Sequence, residues 1–282
     1  MSRKTIATPV SVTGTALHAG SRVTMTLEPA EAESGILFRR ADLGRDIPAR
    51  YDLVSDTRLG TVLAEGGATV GVVEHLMAAL AGEGIDDLLV VLDGPEPPIL
   101  DGDSLSYLRL IDEAGTAETN APRRIVRVLK PVTVEQGDAR ATLHPWHTRR
   151  FDFEISFDTA AIGTQRFSFE LTPESFRREI APARTFGFVR DLDALLKAGL
   201  GRGASLENTL AIEGERVVNA PLMRFADEFV RHKILDAIGD LALAGAPILG
   251  RFEGVRSGHA LNNALLRALF ADPANYEELA PS

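Results

Sequence analysis

The sequence predicts an α+β fold made of two similar units whose principal helices face each other. Each half of the 282 residues runs through alternating apolar strands first, and each half then offers one principal helix that carries a histidine beside an acid. A polar, Pro-bearing segment, Glu118 to Arg124, interrupts the pattern between them. The expected units are therefore residues 1–120, with Glu74 and His75, and residues 121–282, with His232, Asp236 and His259. The internal repeat is faint, because the two helices share only a Leu-Ala-Gly ending at different spacing.

Taken in order, Val23, Met25 and Leu27 alternate with Thr24, Thr26 and Glu28, the period of a half-buried strand. An alanine-rich helix follows from about Val72 to Ala81, with Gly82 or Gly84 as its cap. Leu88 to Leu92 is continuous and apolar, as a buried strand would be. Strands resume after the interruption. Ile125 to Val134 and Ala139 to Leu143 flank Gln136-Gly137-Asp138 as a hairpin, and Phe151, Phe153, Ile155 and Phe157 alternate, as do Phe167, Phe169 and Leu171. A short helix from about Asp191 to Ala198, a glycine-rich loop at Gly199 to Ala204, a hairpin at Glu213-Gly214 and a long helix from about Asp227 to Ala244 complete the second half.

Composition narrows the chemistry. A hydrophobic content of 45% is ample for a core, and the chain has no run of about 18 apolar residues that could span a bilayer. The first residues lack the apolar core of a secretory signal, so a cytoplasmic protein is expected. With no cysteine, thiolate metal sites, disulfides and cysteine nucleophiles are excluded, and any metal must be held by His, Asp or Glu. The net charge of −10 argues against a nucleic-acid binder while allowing one small anionic ligand in a local basic pocket.

On the long helix His232, Asp236 and Asp240 recur every four residues, in one slowly drifting row, while Val230, Ile234, Ala237, Ile238 and Leu241 take the opposite side. A solvated polar face would look the same. Two imidazoles and one carboxylate, His75, His232 and Asp236, would make a catalytic zinc set with an open position for water, whose pKa zinc lowers toward about 7. Glu74 could then take the proton, although the compact HExxH arrangement is absent. His259, in Ser257-Gly258-His259-Ala260, suits a general acid held by a carboxylate such as Asp240, or equally a locally bonded cap. The Gly199 to Ala204 loop follows a helix rather than a strand, which counts against a dinucleotide fingerprint, and neither a Walker A sequence nor a Gly-x-Ser-x-Gly elbow occurs. His144 and His147 are read as structural, with no acid close by in sequence.

Four segments taken together, Val73 to Leu76, Ala183 to Phe188, Asp227 to Asp240 and Ser257 to Asn263, closely resemble the UDP-3-O-acyl-N-acetylglucosamine deacetylase family, the zinc amidases of lipid A synthesis in Gram-negative bacteria. The resemblance runs in order along essentially the whole chain. It implies a fold of two layered α+β domains with the active site in the cleft between them, and hydrolytic N-deacetylation of the UDP-sugar as the committed step of that pathway. It implies Zn2+, or Fe2+, on His75, His232 and Asp236, with Glu74 as base, His259 oriented by Asp240 as acid or electrostatic stabiliser, and Thr185 at the oxyanion. Lys233 would lie near the phosphate or the oxyanion. Phe157, Phe188, Asp191 and Arg256 would meet the uridine diphosphate, and Phe186, Leu192 and Leu200 would join the substrate-binding set. Residues 189–211 would be the second domain's insert, lining a passage for the acyl chain. A monomer is expected. Gly60, where some members carry cysteine, Asp103 and Ala204 depart from the pattern and bear on loop shape and acyl preference rather than on the chemistry. The competing reading is a non-catalytic binder of UDP-sugar or acyl chain using the same cleft, with an amidohydrolase of a non-nucleotide sugar as a third.

Overall fold

In the computed structural model, which describes residues 2–279, the first half forms a five-stranded sheet in the order Val10–Thr15, Arg22–Pro29, Leu88–Leu92, Ile36–Arg40, Arg45–Pro48. Leu88–Leu92 is its centre, antiparallel to Arg22–Pro29 and parallel to Ile36–Arg40, and it buries Leu88, Val90 and Leu92 against the helices. Val23, Met25 and Leu27 point to the same core, as their alternation predicts. Helix α1, Glu74–Glu83, ends at Gly84, whose φ of 73° is the left-handed cap that glycine adopts without penalty. Helix α2, Leu105–Ala114, packs beside it and has no counterpart among the elements expected from sequence.

The second half is built on a seven-stranded sheet. Ile248–Val255 is its hub, pairing antiparallel with Ala139–His144 and parallel with Arg149–Ser156 and Ile125–Val128. The hairpin at Gly137 is present, but the strand expected from Ile125 to Val134 is two strands. Ile125–Val128 lies between Ile248–Val255 and Tyr276–Leu279, whereas Val132–Gln136 pairs with Ala139–His144. The break falls at Pro131, which cannot donate to a ladder. Thr164–Glu170 extends the sheet beyond Arg149–Ser156. Helix α3, Pro173–Glu179, opens with a reciprocal cap between Thr172 and Ser175. Helix α4, Val189–Lys197, follows the first strand of a three-stranded ribbon made of Phe186–Phe188, Leu210–Glu213 and Arg216–Val217. Helix α5, Glu228–Ala242, and helix α6, His259–Ala271, complete the half.

The segment read as an interruption, Glu118 to Arg124, is mostly paired backbone. Thr116–Pro122 lies antiparallel to Ser2–Ile6 in a two-stranded ribbon. Its polar residues alternate between solvent and partial shelter, so backbone hydrogen bonding holds it where burial does not. The mixed α+β character is otherwise as the sequence predicts. No helix among the described residues is long and apolar enough to cross a membrane.

The two principal helices meet closely. A Cβ on Gly239 of α5 would stand 1.9 Å from the Glu74 carbonyl oxygen of α1, so the contact exists only because position 239 has no side chain. His232, Asp236 and Asp240 are all buried, as are Val230, Ile234, Ala237 and Ile238, which excludes the solvated-face reading of α5.

Candidate metal and catalytic centre

Each polar residue of the centre is placed by a backbone feature that can be named. Glu74 and His75 open α1 after the cap residue Val73, which follows Val72, a β-branched residue held at φ 54°, a costly conformation that turns the chain into the helix. His232 is set by its own ring: Nδ1 donates to the Ala183 carbonyl at 3.1 Å, which directs Nε2 inward. The Ala183 segment is in turn pinned to the start of α5, because Arg184 and Glu228 form a buried ion pair with Nε and Oε1 3.0 Å apart.

Around this frame the donors converge. Asp236 Oδ1 lies 3.3 Å from His232 Nε2 and 3.6 Å from His75 Nε2, and the two rings stand edge to face with centroids 4.9 Å apart. One donor atom from each of His75, His232 and Asp236 falls within 4.8 Å of the others. Burial pushes His232 down to about 3, with His75 and Lys233 adding to the effect and Asp236 opposing it, so the ring is neutral at ordinary pH. Its Nδ1 proton is committed to Ala183, and a lone pair on Nε2 therefore faces a carboxylate oxygen. Two electron-rich atoms at that separation call for a cation between them. Asp236 is held well below the usual carboxylate range although burial acts the other way, because His232 and Lys233 outweigh it. His75 Nδ1 is buried with no protein partner, a further sign that protein atoms alone do not satisfy the cluster. The residues fit a divalent metal of the kind nitrogen and oxygen ligands hold.

Beside this cluster Glu74 and His259 approach each other. Glu74 Oε2 accepts the Thr61 backbone N–H at 2.9 Å, and Oε1 is 3.9 Å from His259 Nε2. Burial raises the Glu74 carboxyl, against the pull of His259 and His75. His259 Nδ1 donates to Asp240 Oδ2 at 2.8 Å. Burial opposes its charge, but Asp240, and then Glu74 and Asp236, push it up to about 9, so the ring is a cation at neutral pH. From His232 an aromatic wall leads outward: Phe186 is 6.2 Å from that ring, Phe157 is 5.9 Å from Phe186, and Phe188 is 5.8 Å from Phe157.

Residues 3–271 match the UDP-3-O-acyl N-acetylglycosamine deacetylase (LpxC) family. The chain belongs to this family. It is 49% identical over 271 residues, 96% of its length and 89% of the relative's, to a UDP-3-O-acyl-N-acetylglucosamine deacetylase of Anaeromyxobacter sp. (strain Fw109-5). A protein of the same name from Phenylobacterium zucineum (strain HLK1) is 47% identical over 277 residues, covering 97% and 94% of the two chains. Another from Myxococcus xanthus (strain DK1622) is 47% identical over 277 residues, covering 98% and 88%.

In this deacetylase the six residues expected at the centre, Glu74, His75, His232, Asp236, Asp240 and His259, are thus neighbours. Lys233, expected at the substrate's anionic end, donates to Asp236 Oδ2 at 2.7 Å and so lies against the ligand set. Thr185 is half-buried and fixed by its backbone N–H to the Gly102 carbonyl at 2.8 Å. Asp191 and Leu192 are exposed on α4, Asp191 beside Arg190. Arg256 faces Asp138 of the hairpin at 3.7 Å. Leu200 lines a cavity of about 260 Å³ together with His18, Leu59 and Gly60. Gly60 has φ 146°, and a Cβ there would stand 2.9 Å from Glu74 Oε1, so a side chain at 60 would press on that carboxylate. Asp103 is buried and takes the Ser106 N–H at 3.0 Å and the Arg224 guanidinium, which fixes the turn into α2. A larger cavity of about 310 Å³ lies at the C-terminal ends of α1 and α5, and none of the six residues lines it.

His144 has acids closer than its sequence neighbours indicate. Glu253 Oε2 on the adjacent strand is 3.7 Å from its Nε2, a contact that pairing alone creates.

Sequence reasoning missed four polar residues. Thr61 donates through Oγ1 to Asp240 Oδ1 at 2.6 Å, Asn262 Nδ2 donates to Asp240 Oδ2 at 2.8 Å, and Ser257 Oγ donates to Asn262 Oδ1 at 2.8 Å. His18 accepts the Gly201 N–H through Nδ1 at 3.2 Å and donates through Nε2 to the Leu59 carbonyl at 2.9 Å. Asn262, one turn after His259 on α6, had a readable signal; Thr61 and His18 had none.

Proposed function

We propose that the protein hydrolyses the acetamide of UDP-3-O-acyl-N-acetylglucosamine to acetate and UDP-3-O-acyl-glucosamine, a step of lipid A biosynthesis, as a metal-dependent amidase. The observation that carries the reading is the convergence of His75, His232 and Asp236 beside the Glu74–His259 pair in a chain that belongs to the deacetylase family. Zinc suits this donor set, with Fe2+ as the alternative, and His75, His232 and Asp236 would hold it. When bound, the ion would polarise the amide carbonyl and lower the pKa of water.

The protein groups supply the proton chemistry. Glu74, buried and raised by that burial, would accept the proton of the attacking water on Oε1, since Oε2 is occupied by Thr61. His259 would stabilise the negative charge of the tetrahedral intermediate and give its Nε2 proton to the leaving nitrogen, while Asp240 keeps the ring in orientation through Nδ1. Thr185 would donate to the oxyanion, a contribution of about 3 to 4 kcal/mol for a well-placed donor. Lys233, bonded to Asp236 Oδ2, would keep that carboxylate ionised for the metal. Phe157, Phe186 and Phe188 form an apolar wall suited to a base or sugar face, with Leu192 and Leu200 toward the acyl chain. Asp191 and Arg256 would reach substrate only by movement of exposed side chains. The reading carries with it a cytoplasmic monomer.

Metal analysis of the purified protein, with an assay of acetate release from the UDP-sugar, tests the proposal. About one zinc per chain and acetate formation abolished by chelation are expected. Metal-replete protein that binds the UDP-sugar and releases no acetate would leave only a binding role.

A further inference from the structure

We infer that Thr61 is a positioning residue that sets the distance between the proton acceptor and the proton donor, by holding Glu74 with its backbone and Asp240 with its side chain. The inference rests on the proposed roles of Glu74 and His259. Thr61 is 1% exposed and stands just before the strand Val62–Glu65. Its N–H goes to Glu74 Oε2 at 2.9 Å and its hydroxyl to Asp240 Oδ1 at 2.6 Å, so one residue ties together two carboxylates that lie on α1 and α5.

The arrangement around Asp240 makes the hydroxyl specific. The donors from α6, His259 Nδ1 and Asn262 Nδ2, both act on Oδ2 at 2.8 Å. Oδ1, the other oxygen, has Thr61 as its side-chain donor. Without the hydroxyl a buried carboxyl oxygen loses its partner and the group is free to rotate, carrying the His259 ring with it. The quantity at stake is the 3.9 Å between His259 Nε2 and Glu74 Oε1, the gap across which the water and the leaving nitrogen must be handled. Thr61 itself does not face that gap with a free group, since both of its donors are engaged.

The test compares Thr61→Val, which keeps shape and backbone N–H but removes the hydroxyl, with Thr61→Ser, which keeps the hydroxyl. Both are measured in the metal-replete full chain, with and without His259→Ala. The Val variant should lose about 10- to 100-fold in kcat with KM and metal content within about twofold of the parent, and Ser should restore kcat to within about threefold. In the His259→Ala background the Val change should cost little more, because the residue through which Thr61 acts is gone. Full kcat in Thr61→Val, or the same fractional loss with and without His259, would overturn the inference. If His259→Ala alone leaves kcat intact, the proposed role of His259 fails instead, and the two failures are distinct. Should Thr61→Val melt below the assay temperature, Thr61→Cys, a weaker donor of similar size, is read by the same criteria.

Discussion

His259 Nδ1 sits 2.8 Å from Asp240 Oδ2 while its other nitrogen sits 3.9 Å from Glu74 Oε1, so one imidazole spans the carboxylates of α5 and α1. Against the cost of burial, the two acids and Asp236 push the ring up to about 9. An acid with that pKa is protonated across the neutral range. Activity limited by His259 should therefore hold steady on the alkaline side until the pH approaches about 9 and then fall as the proton leaves. Asp240→Asn removes the largest raising influence and leaves burial, so the alkaline limb of the kcat/KM profile should move to lower pH. An unmoved limb in that variant would assign it to another group.

Glu74 is the complementary case. Replacing it with Ala leaves His75, His232 and Asp236 untouched and removes the acceptor for the water's proton. Turnover should drop by roughly 10²- to 10⁴-fold while metal content stays at the parent level. Steady-state kinetics with metal analysis on the same preparation checks both halves, and near-parental kcat would remove Glu74 from the mechanism.

Stability of the metal-free protein should pass through a maximum near neutrality. The His259 pKa is raised from 6.5 to about 9, so its contribution is full below about 6.5 and is lost as pH rises through about 9. The His232 pKa is depressed to about 3 by burial, so its contribution is full above about 6.5 and is lost as pH falls toward about 3. Asp236, also depressed, adds to the loss on the acid side. Denaturant midpoints at a series of pH values measure this, and added zinc should raise the acid limb by competing with protons for His232 and Asp236. Midpoints that keep climbing from pH 6.5 to pH 9 would contradict the His259 assignment, and midpoints that do not fall between pH 6.5 and pH 3 would contradict that of His232.

What the sequence made legible follows from the range of the interactions. The row of His232, Asp236 and Asp240 could be read because helical spacing is local, and so could the strand Leu88–Leu92 and the hairpin at Gly137. The break at Pro131 and the Thr172–Ser175 cap of α3 also carried local signals. Thr61 carried none: a threonine entering a strand looks like any other, and its partner Asp240 is 179 residues away. The pairing of Thr116–Pro122 with Ser2–Ile6 was hidden for the same reason, since a polar ribbon held by backbone bonds leaves no hydrophobic period. Family resemblance named Phe157, Phe186 and Phe188, and their mutual packing is a tertiary fact that alternation could not supply.

Gly239 offers a test of how the site is held together. A Cβ there would meet the Glu74 backbone, 1.9 Å from O and 2.7 Å from C, and backbone at the start of a helix has little freedom to retreat. Alanine would gain about 1 kcal/mol in helix propensity, but overpacking of this kind commonly costs about 1 to 3 kcal/mol or more, so the clash decides the sign. Relief requires α1 and α5 to move apart, and that motion separates His75 on α1 from His232 and Asp236 on α5. Gly239→Ala should therefore lower the melting temperature and weaken metal binding together. Gly82→Ala is the control, because its Cβ would strike the Phe176 ring at 2.2 Å, a buried contact with α3 that does not touch the ligand pair. It should destabilise the protein while leaving metal affinity near that of the parent. Titrating zinc into both folded variants decides the matter, and equal affinities would mean that the α1–α5 contact does not set the ligand geometry.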